Sequence, residues 1–225
     1  LRRYVDRVTA ALGGVPLQFM QSSGGLTDAA SFKGKDAILS GPAGGIVASV
    51  RTAEAAGFSK VVTFDMGGTS TDVAHYAGQL ERALESEVAG VRIRAPMMDI
   101  HTVAAGGGSV CRFDGARFRV GPESAGADPG PAAYRRGGPL TVTDCNVMLG
   151  KLQPSHFPKV FGPGQDMPLD ADAVAQRFSQ MLPEVQEAER QGGSGEAPQA
   201  LGGPETLAEG FLQVAVQNMA NAIKK

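Results

Sequence analysis

The sequence predicts an α/β fold, and three features of the chain support this prediction. A short apolar run at residues 61–64 leads directly into the glycine-rich stretch 65–72, which is typical of a buried strand that ends in a turn. A run of small residues at 46–56 has the flanking turn residues of a helix. Residues 205–225 carry an apolar stripe at helical spacing. Helices that alternate with strands are typical of α/β proteins.

The composition excludes several classes of protein. The 225 residues are 42% hydrophobic, which is enough to build a sizeable core. The formal net charge is -2 and basic residues cluster only in pairs, so we expect no nucleic-acid partner. No apolar run reaches the roughly 18 residues that a membrane helix needs, so we expect no membrane span.

The cysteines, the histidines and the chain ends carry further expectations. Cys111 and Cys145 are far apart in the sequence and each lies among apolar residues, which predicts two buried, reduced thiols and a cytoplasmic location. The three histidines lack the spacing of a metal site. The chain begins without Met and ends in a helical pattern, so we expect an internal piece of a longer protein.

In the first part of the chain we predict two helices and four strands that share one sheet. The first helix covers residues 1–12 and ends at a glycine pair. The second covers residues 46–56, with Ser40 as its N-cap and Pro42 as a residue of its first turn. The apolar run 61–64 fits a central strand. The predicted strands of the sheet are residues 15–20, 61–64, 71–76 and 80–84.

A hairpin and a long loop follow. Asp114 and Gly115 lie between the alternating runs 110–113 and 116–120, which is a strong hairpin signal. Residues 121–139 are rich in Gly, Pro and Ala and show no periodicity. Irregular loops of this length often border a functional site, so we expect one here.

The last part of the chain is predicted to be mostly helical, with one flexible connection between helices. A helix begins within residues 140–149, with Thr143 or Asp144 as its cap. Residues 190–204 have the composition of an exposed, flexible connection. The final helix, residues 205–225, is expected to pack on the sheet through an apolar face that comprises Leu207, Phe211, Leu212, Val214, Ala215, Met219 and Ile223.

The strongest chemical signal is the turn that follows the strand at 61–64. The strand end holds the Asp65 carboxylate at a fixed point, where it can bind magnesium or orient a water molecule. Gly67 and Gly68 let backbone amides approach phosphate oxygens without obstruction by a Cβ atom. An ordinary tight turn is the alternative, but the apolar strand and the hydroxyl cluster favour phosphate binding. The hydroxyl donors are Thr69, Ser70 and Thr71.

A second glycine cluster offers another candidate site. Gly106, Gly107 and Gly108 precede Ser109, and together they can form a nest of backbone donors for a substrate oxygen. The alternative is a bend that leads into the next hairpin. His101, just before this cluster, can polarise a carbonyl or transfer a proton, although a packed, hydrogen-bonded side chain is the alternative.

The strand, the Asp-x-Gly-Gly-Thr turn, the hairpin and the preceding small-residue helix resemble the second phosphate motif of one ATPase superfamily. This superfamily contains actin, sugar kinases and heat-shock chaperones. The resemblance implies a ribonuclease-H-like mixed sheet with flanking helices, followed by an irregular, β-rich region that faces the substrate. It also implies that Gly44 and Gly45 contribute to nucleotide binding. The candidate catalytic side chains are Asp65, Asp72 and His101.

Five motifs in the same order resemble the hydantoinase A/5-oxoprolinase family. They comprise residues 19–25, 40–45, 64–73, 100–109 and 120–131. The resemblance implies a fragment of an enzyme that uses ATP and Mg²⁺ to open a cyclic amide, either 5-oxoproline to glutamate or a hydantoin. Phosphoryl transfer to the ring carbonyl oxygen would activate the carbon for attack by water. The resemblance also implies a hydantoinase B partner or fused half, and an oligomer.

Two other functions stay open, namely the ATP-using subunit of an acetone- or acetophenone-type carboxylase and a non-catalytic ATP-binding module. The first phosphate motif and the adenosine motif of the family are not in this sequence. The chain therefore holds about half of an ATP site, and we expect it to be inactive alone. The expected divisions are an ATPase-lobe part at 1–84, a substrate-facing region at 85–161, a variable helix with a linker at 162–204, and a helix that returns to the ATPase lobe at 205–225.

Overall fold

The computed structural model describes residues 1–88, 90–191 and 202–224. The helices are α1 (Arg2–Ala11), α2 (Gly34–Ala37), α3 (Ser40–Ala55), α4 (Val142–Met148), α5 (Ala171–Gln191) and α6 (Pro204–Ile223). The strands are β1 (Gln18–Met20), β2 (Leu26–Asp28), β3 (Lys60–Met66), β4 (Thr71–Ala77), β5 (Arg82–Ala83), β6 (Ser86–Val88), β7 (Val91–Ile93), β8 (Met97–Met98), β9 (His101–Val103), β10 (Ser109–Phe113) and β11 (Phe118–Ser124). The predicted α/β class is confirmed. No helix in these ranges is long and apolar enough to cross a membrane.

The chain divides into two compact units. The first comprises Leu1–Asp65 and Asp72–Thr102, and the second comprises Met66–Thr71 and Val103–Lys225. The glycine-rich turn after β3 therefore belongs to the second unit, although the rest of its hairpin belongs to the first. The domain boundaries predicted after residues 84, 161 and 204 stay a prediction.

In the first unit, α3 includes the glycine-rich stretch that was expected to precede it. The helix begins at Ser40 rather than at residue 46, and Leu39 occupies the N-cap position. The Ser40 hydroxyl donates to the Ala37 carbonyl (3.1 Å), so the predicted N-cap is wrong, whereas Pro42 lies in the first turn as predicted. The side chains by which α3 packs against β4 and β8 are Ala43, Ile46 and Val50.

The predicted four-stranded sheet is wrong in two of its strands. Within the described residues, β3, β4 and β9 form a three-stranded sheet in that order. β1 pairs instead with β2, β5 pairs with β8, and Leu80 makes a single bridge to Tyr76. For β1, the partner lies just beyond a short turn, and such local pairing between sequential strands is the common outcome in proteins.

The position of β3 also differs from the prediction. The apolar run was expected to form a central strand, but β4 is the central strand of this sheet and β3 is an edge strand in the described chain. On β3, Val62 is 54% exposed and Phe64 is 45% exposed. The run of β-branched residues therefore indicated the strand correctly but not its place in the sheet.

In the second unit, the predicted hairpin is confirmed as the pair β10 and β11. The Asp114 carboxylate accepts hydrogen bonds from the Ala116 and Arg117 amides, which closes the turn. Arg119 and these amides lower the pKa of Asp114 to about 2. Because β11 continues to Ser124, the first residues of the predicted irregular loop belong to a strand. The rest of that loop contains a 3-10 turn at Ala132–Tyr134.

The closing helix α6 packs against α4, α5 and β11 within the second unit. At Gly210, a Cβ atom would lie 2.7 Å from the Phe118 ring, so the absence of a side chain lets α6 approach the hairpin. Phe118 also packs on Phe211, with ring centroids 4.5 Å apart. Most of the predicted apolar face is covered, but Ile223 is 48% exposed and was assigned to it wrongly. The predicted return of this helix to the ATPase lobe stays a prediction.

The cap of α4 differs from both predicted candidates. Thr141 is the N-cap, and Asp144 forms a reciprocal capping box with it. The Asp144 carboxylate is 0% exposed and accepts hydrogen bonds from the Ala132 and Ala133 amides (3.1 and 2.8 Å). It also accepts from the Thr141 amide and hydroxyl, each at 2.8 Å. Burial raises the pKa of Asp144, and these donors oppose that effect.

Both thiols are buried and free, as predicted. Although Cys111 and Cys145 are far apart in the sequence, their Sγ atoms lie 3.8 Å apart. The hydrogen bond with Cys145 and burial raise the pKa of the Cys111 thiol. A raised thiol pKa keeps the sulfur protonated and weakly nucleophilic, so this pair acts as core packing between β10 and α4.

The connection predicted at residues 190–204 lies mostly outside the described residues. Of this stretch, Arg190 and Gln191 belong to the end of α5, and Pro204 is the first residue of α6. Residues 192–201 are not described, so the predicted flexibility of the connection stays a prediction.

We expect Asp144→Ala to loosen the second unit, because it leaves the buried amides of Ala133 and Thr141 without their acceptor. The Ala132 amide would keep only its second acceptor, the Pro139 carbonyl (2.9 Å). Each such loss costs about 1–3 kcal/mol, so hydrogen exchange of peptides that cover residues 132–148 should accelerate by about 10²-fold. Mass spectrometry of the purified protein measures this change. Asp172→Ala, at an exposed position in α5, is the matched control. Equal exchange in the two variants would contradict the anchoring role of Asp144.

Candidate functional site

The glycine-rich turn between β3 and β4 is closed by its own backbone. The Gly67 amide donates to the Ser70 carbonyl (2.8 Å), and Gly67, Gly68 and Thr69 are exposed. Thr71 is 0% exposed, and its hydroxyl donates to the Ala105 carbonyl (2.6 Å). This corrects the predicted role of the Thr71 hydroxyl, because it holds the turn and is not available as a donor to phosphate.

The two glycine clusters, predicted as separate sites, are hydrogen-bonded to each other. The Gly107 amide donates to the Gly67 carbonyl (3.0 Å), and the Gly108 amide donates to the Gly68 carbonyl (2.6 Å). All four residues belong to the second unit. The Gly106–Gly108 segment, which we call the bracing loop, therefore fixes the orientation of two consecutive peptide groups in the turn.

The close contact explains why the bracing loop is made of glycine. A Cβ atom at Gly106 would lie 2.7 Å from the Gly67 carbonyl oxygen, and one at Gly108 would lie 2.8 Å from the Gly68 carbonyl oxygen. Such distances essentially never occur between a Cβ atom and backbone, and backbone cannot move aside cheaply. Any side chain at these two positions would push the bracing loop away from the turn.

The bracing loop does not form the predicted donor nest. The Gly106 amide donates to the Ser109 hydroxyl (2.9 Å), and the Gly107 and Gly108 amides donate to the turn. All three donors are therefore engaged within the protein, and the nest prediction is corrected to a bracing role. The assignment of Gly106–Gly108 and Ser109 to the substrate side stays a prediction.

Two amides of the turn have no hydrogen-bond partner among the described residues. In a trans peptide, the carbonyl and the following N–H point in opposite directions. Because the Gly67 and Gly68 carbonyls face the bracing loop, the N–H groups of Gly68 and Thr69 face away from it. Neither amide donates to another backbone group in the described chain. Two adjacent N–H groups in an exposed turn can together bind an anion, as backbone amides do in phosphate-binding turns.

In the first unit, Asp65 lies at the end of β3 against the glycine-rich half of α3. A Cβ atom at Gly45 would lie 3.3 Å from the Asp65 Oδ2 atom, and one at Gly44 would lie 3.6 Å from Met20. Gly45 thus provides the space that the Asp65 carboxylate occupies, which gives this glycine a packing role. The side chain of Asp65 is exposed, as a residue that binds a ligand must be.

The other two candidate catalytic residues lie on neighbouring strands of the three-stranded sheet. Asp72 on β4 accepts a hydrogen bond from the Thr102 hydroxyl on β9 (2.6 Å). His101 precedes Thr102 on β9 and is half-buried. Thr102 was missed in the sequence, and the signal was weak, because a single Thr in a strand is common.

A preassembled metal centre is not found among residues 1–88, 90–191 and 202–224, which hold no group of three or more His, Cys, Asp or Glu side chains placed to bind an ion. Asp65 offers one exposed carboxylate. A single carboxylate fits Mg²⁺ in nucleotide sites, where phosphate oxygens and water usually supply the other ligands.

Comparison with known proteins places these features in a family. Residues 1–225 match the hydantoinase/oxoprolinase family. The 5-oxoprolinase of Saccharomyces cerevisiae is 43% identical over 229 residues, which cover 100% of this chain and 17% of the yeast protein. The 5-oxoprolinase 1 of Arabidopsis thaliana is 42% identical over 226 residues, which cover 100% of this chain and 18% of the plant protein. The chain therefore spans less than a fifth of the length of these curated relatives.

One relative, a caprolactamase, is found in both the sequence comparison and the structure comparison. The caprolactamase subunit alpha of Pseudomonas jessenii is 40% identical over 159 residues, which cover 67% of this chain and 23% of that protein. The solved structure of the ATP-dependent caprolactamase from this organism matches with a TM-score of 0.69 at 31% identity, over 99% of this chain and 31% of that chain.

A nucleotide-free acetone carboxylase structure matches with a TM-score of 0.76 over 99% of this chain and 30% of that chain. At 24% identity, this match establishes a shared fold alone. The family match, by contrast, covers every residue, and the whole-chain relatives are more than 40% identical. The chain belongs to the hydantoinase/oxoprolinase family.

Proposed function

We propose that this chain is the second-phosphate-motif part of an enzyme that uses ATP to open a cyclic amide, with 5-oxoproline or a hydantoin as the substrate. The geometry that carries the proposal is the pair of exposed N–H groups at Gly68 and Thr69. Two whole-chain relatives named 5-oxoprolinase support the choice of ring. The finer fold that we infer is the ribonuclease-H-like, actin-type ATPase fold.

The chemical problem is that an amide carbonyl is a poor electrophile. ATP supplies a phosphoryl group that makes the ring carbonyl oxygen a good leaving group. In this chain, the Gly68 and Thr69 amides and the hydroxyls of Thr69 and Ser70 would bind phosphate oxygens as the charge on them changes. Asp65 would hold Mg²⁺ or orient the attacking water, and Asp72 and His101 are the remaining candidates for proton transfer.

The leading alternative is a ketone carboxylase subunit with the same phosphate chemistry. Its support here is the fold shared with acetone carboxylase at 24% identity. The lactam-opening proposal has stronger support, because the 5-oxoprolinases match the whole chain at 42–43% identity. A hydantoinase B partner or fused half, an oligomeric state and a cytoplasmic location belong to the same proposal. The buried, reduced thiols fit the last of these.

The first test measures phosphate release from the complete polypeptide with ATP and Mg²⁺. We expect release to be stimulated by 5-oxoproline or a hydantoin, with the ring-opened acid formed in equal amounts. Ketones with bicarbonate should not stimulate it. The isolated 225-residue segment should be inactive, because it carries only the second phosphate motif. Stimulation by ketone and bicarbonate alone would establish the carboxylase instead, and no stimulation by any substrate would favour a non-catalytic module.

The second test concerns Asp65. Asp65→Asn should lower kcat on the order of 10²-fold, because the neutral amide neither binds Mg²⁺ well nor orients water as a carboxylate does. Gly45→Val should lower kcat by up to about 10²-fold by displacing the Asp65 carboxylate. Gly41→Val, in the same helix but facing open space, is the matched control. A Gly45→Val enzyme with the activity of the Gly41→Val enzyme would contradict the proposed place of Asp65.

A further inference from the structure

Two hydrogen-bonded chains of peptide groups lead to the two free amides of the turn. In the first, the Ser109 amide donates to the Gly106 carbonyl (3.1 Å), and the N–H of the same peptide, on Gly107, donates to the Gly67 carbonyl (3.0 Å). The peptide that contains this carbonyl carries the Gly68 N–H. This hydrogen-bonded chain therefore runs through two successive peptide groups and ends at the Gly68 amide.

The second chain starts at Thr143 on α4. Its amide and its hydroxyl both donate to the Gly107 carbonyl, at 2.8 and 2.9 Å. The N–H of that peptide, on Gly108, donates to the Gly68 carbonyl (2.6 Å), whose peptide carries the Thr69 N–H. Each hydrogen bond in such a chain polarises the next one, so the final N–H is a stronger donor than an isolated amide.

Thr143, where the second hydrogen-bonded chain starts, is held in place by buried residues. Thr143 lies in the first turn of α4, between the N-cap Thr141 and the buried Asp144. The four hydrogen bonds that Asp144 accepts hold this turn of the helix in place. All of these residues belong to the second unit, so the hydrogen-bonded chain from Thr143 to the Thr69 amide lies within one compact body.

Gly107 leaves room for the hydroxyl of Thr143. A Cβ atom at Gly107 would lie 3.0 Å from the Thr143 Oγ1 atom, tighter than nine in ten real Cβ contacts, so the hydroxyl would have to shift. Thr143 is half-buried, and its hydroxyl already donates to Gly107. The arrangement therefore places a side-chain donor two peptide groups away from the expected phosphate.

We propose that Thr143 is a positioning residue for nucleotide binding, which acts through the Gly107 and Gly68 peptides to orient and polarise the Thr69 amide toward a phosphate oxygen of ATP. The proposal rests on the proposed function of the turn as a phosphate site. It assigns a binding role to a first-turn residue of α4 that touches neither nucleotide nor substrate.

The test uses the complete polypeptide with Thr143→Val, which removes the hydroxyl but keeps the shape and the backbone N–H. We expect the Kd for ATP, measured by calorimetry, to rise about two- to four-fold, because one polarising donor changes the strength of the amide–phosphate hydrogen bond by roughly 10–30%. The KM for the cyclic amide should stay unchanged, and Thr143→Ser should restore the Kd. Thr206→Val, an exposed Thr in the first turn of α6, is the matched control.

A second variant keeps the proposal testable if Thr143→Val does not fold. Gly107→Ala should raise the Kd for ATP similarly, because its methyl group pushes the Thr143 hydroxyl away. The double variant should show less than the sum of the two effects on binding free energy, since both act on one contact. Wild-type protein that binds ATP, with an unchanged Kd in both variants, would overturn the positioning role alone. Wild-type protein that does not bind ATP would overturn the proposed function, and this inference with it.

Discussion

The hydrogen bonds from the Gly107 and Gly108 amides to the Gly67 and Gly68 carbonyls are the interaction on which the candidate site depends. They turn two consecutive carbonyls inward, and peptide planarity then turns the next two N–H groups outward. An exposed turn of glycines would otherwise sample many conformations, because glycine loses more backbone entropy on folding than any other residue. The bracing loop offsets that cost by holding the turn in one orientation.

This constraint connects several features of the second unit. Gly106 and Gly108 leave room for the backbone of the turn, and the buried Thr71 hydroxyl fixes the start of β4 to Ala105. Asp144 is kept in the core at the cost of a raised pKa, and it orders the helix turn that carries Thr143. Polar groups in this unit therefore hold the turn in position through hydrogen bonds within the protein.

Much of the local structure was predictable from the residues. Asp114 and Gly115 between alternating runs indicated the hairpin, and the apolar stripe of α6 indicated a packed helix, because both signals depend on near neighbours in the chain. Strand pairing was not predictable in the same way. The run at 61–64 shows that a strand forms, but its partners and its edge position depend on which other strands find nearer partners.

The sequence by itself determined that a strand ends in an Asp-x-Gly-Gly-Thr turn, that two thiols are buried, and that the chain resembles the family to which it belongs. These conclusions follow from residue type and order. The tertiary structure alone decided which polar groups remain free for a ligand. Residue type shows that Thr71, Gly107 and Thr69 all carry donors. Only the fold shows that the Thr71 hydroxyl and the Gly107 amide are already used, and that the Thr69 amide has no partner among the described residues. The physical reason is that a donor's availability depends on acceptors that lie far away in the sequence.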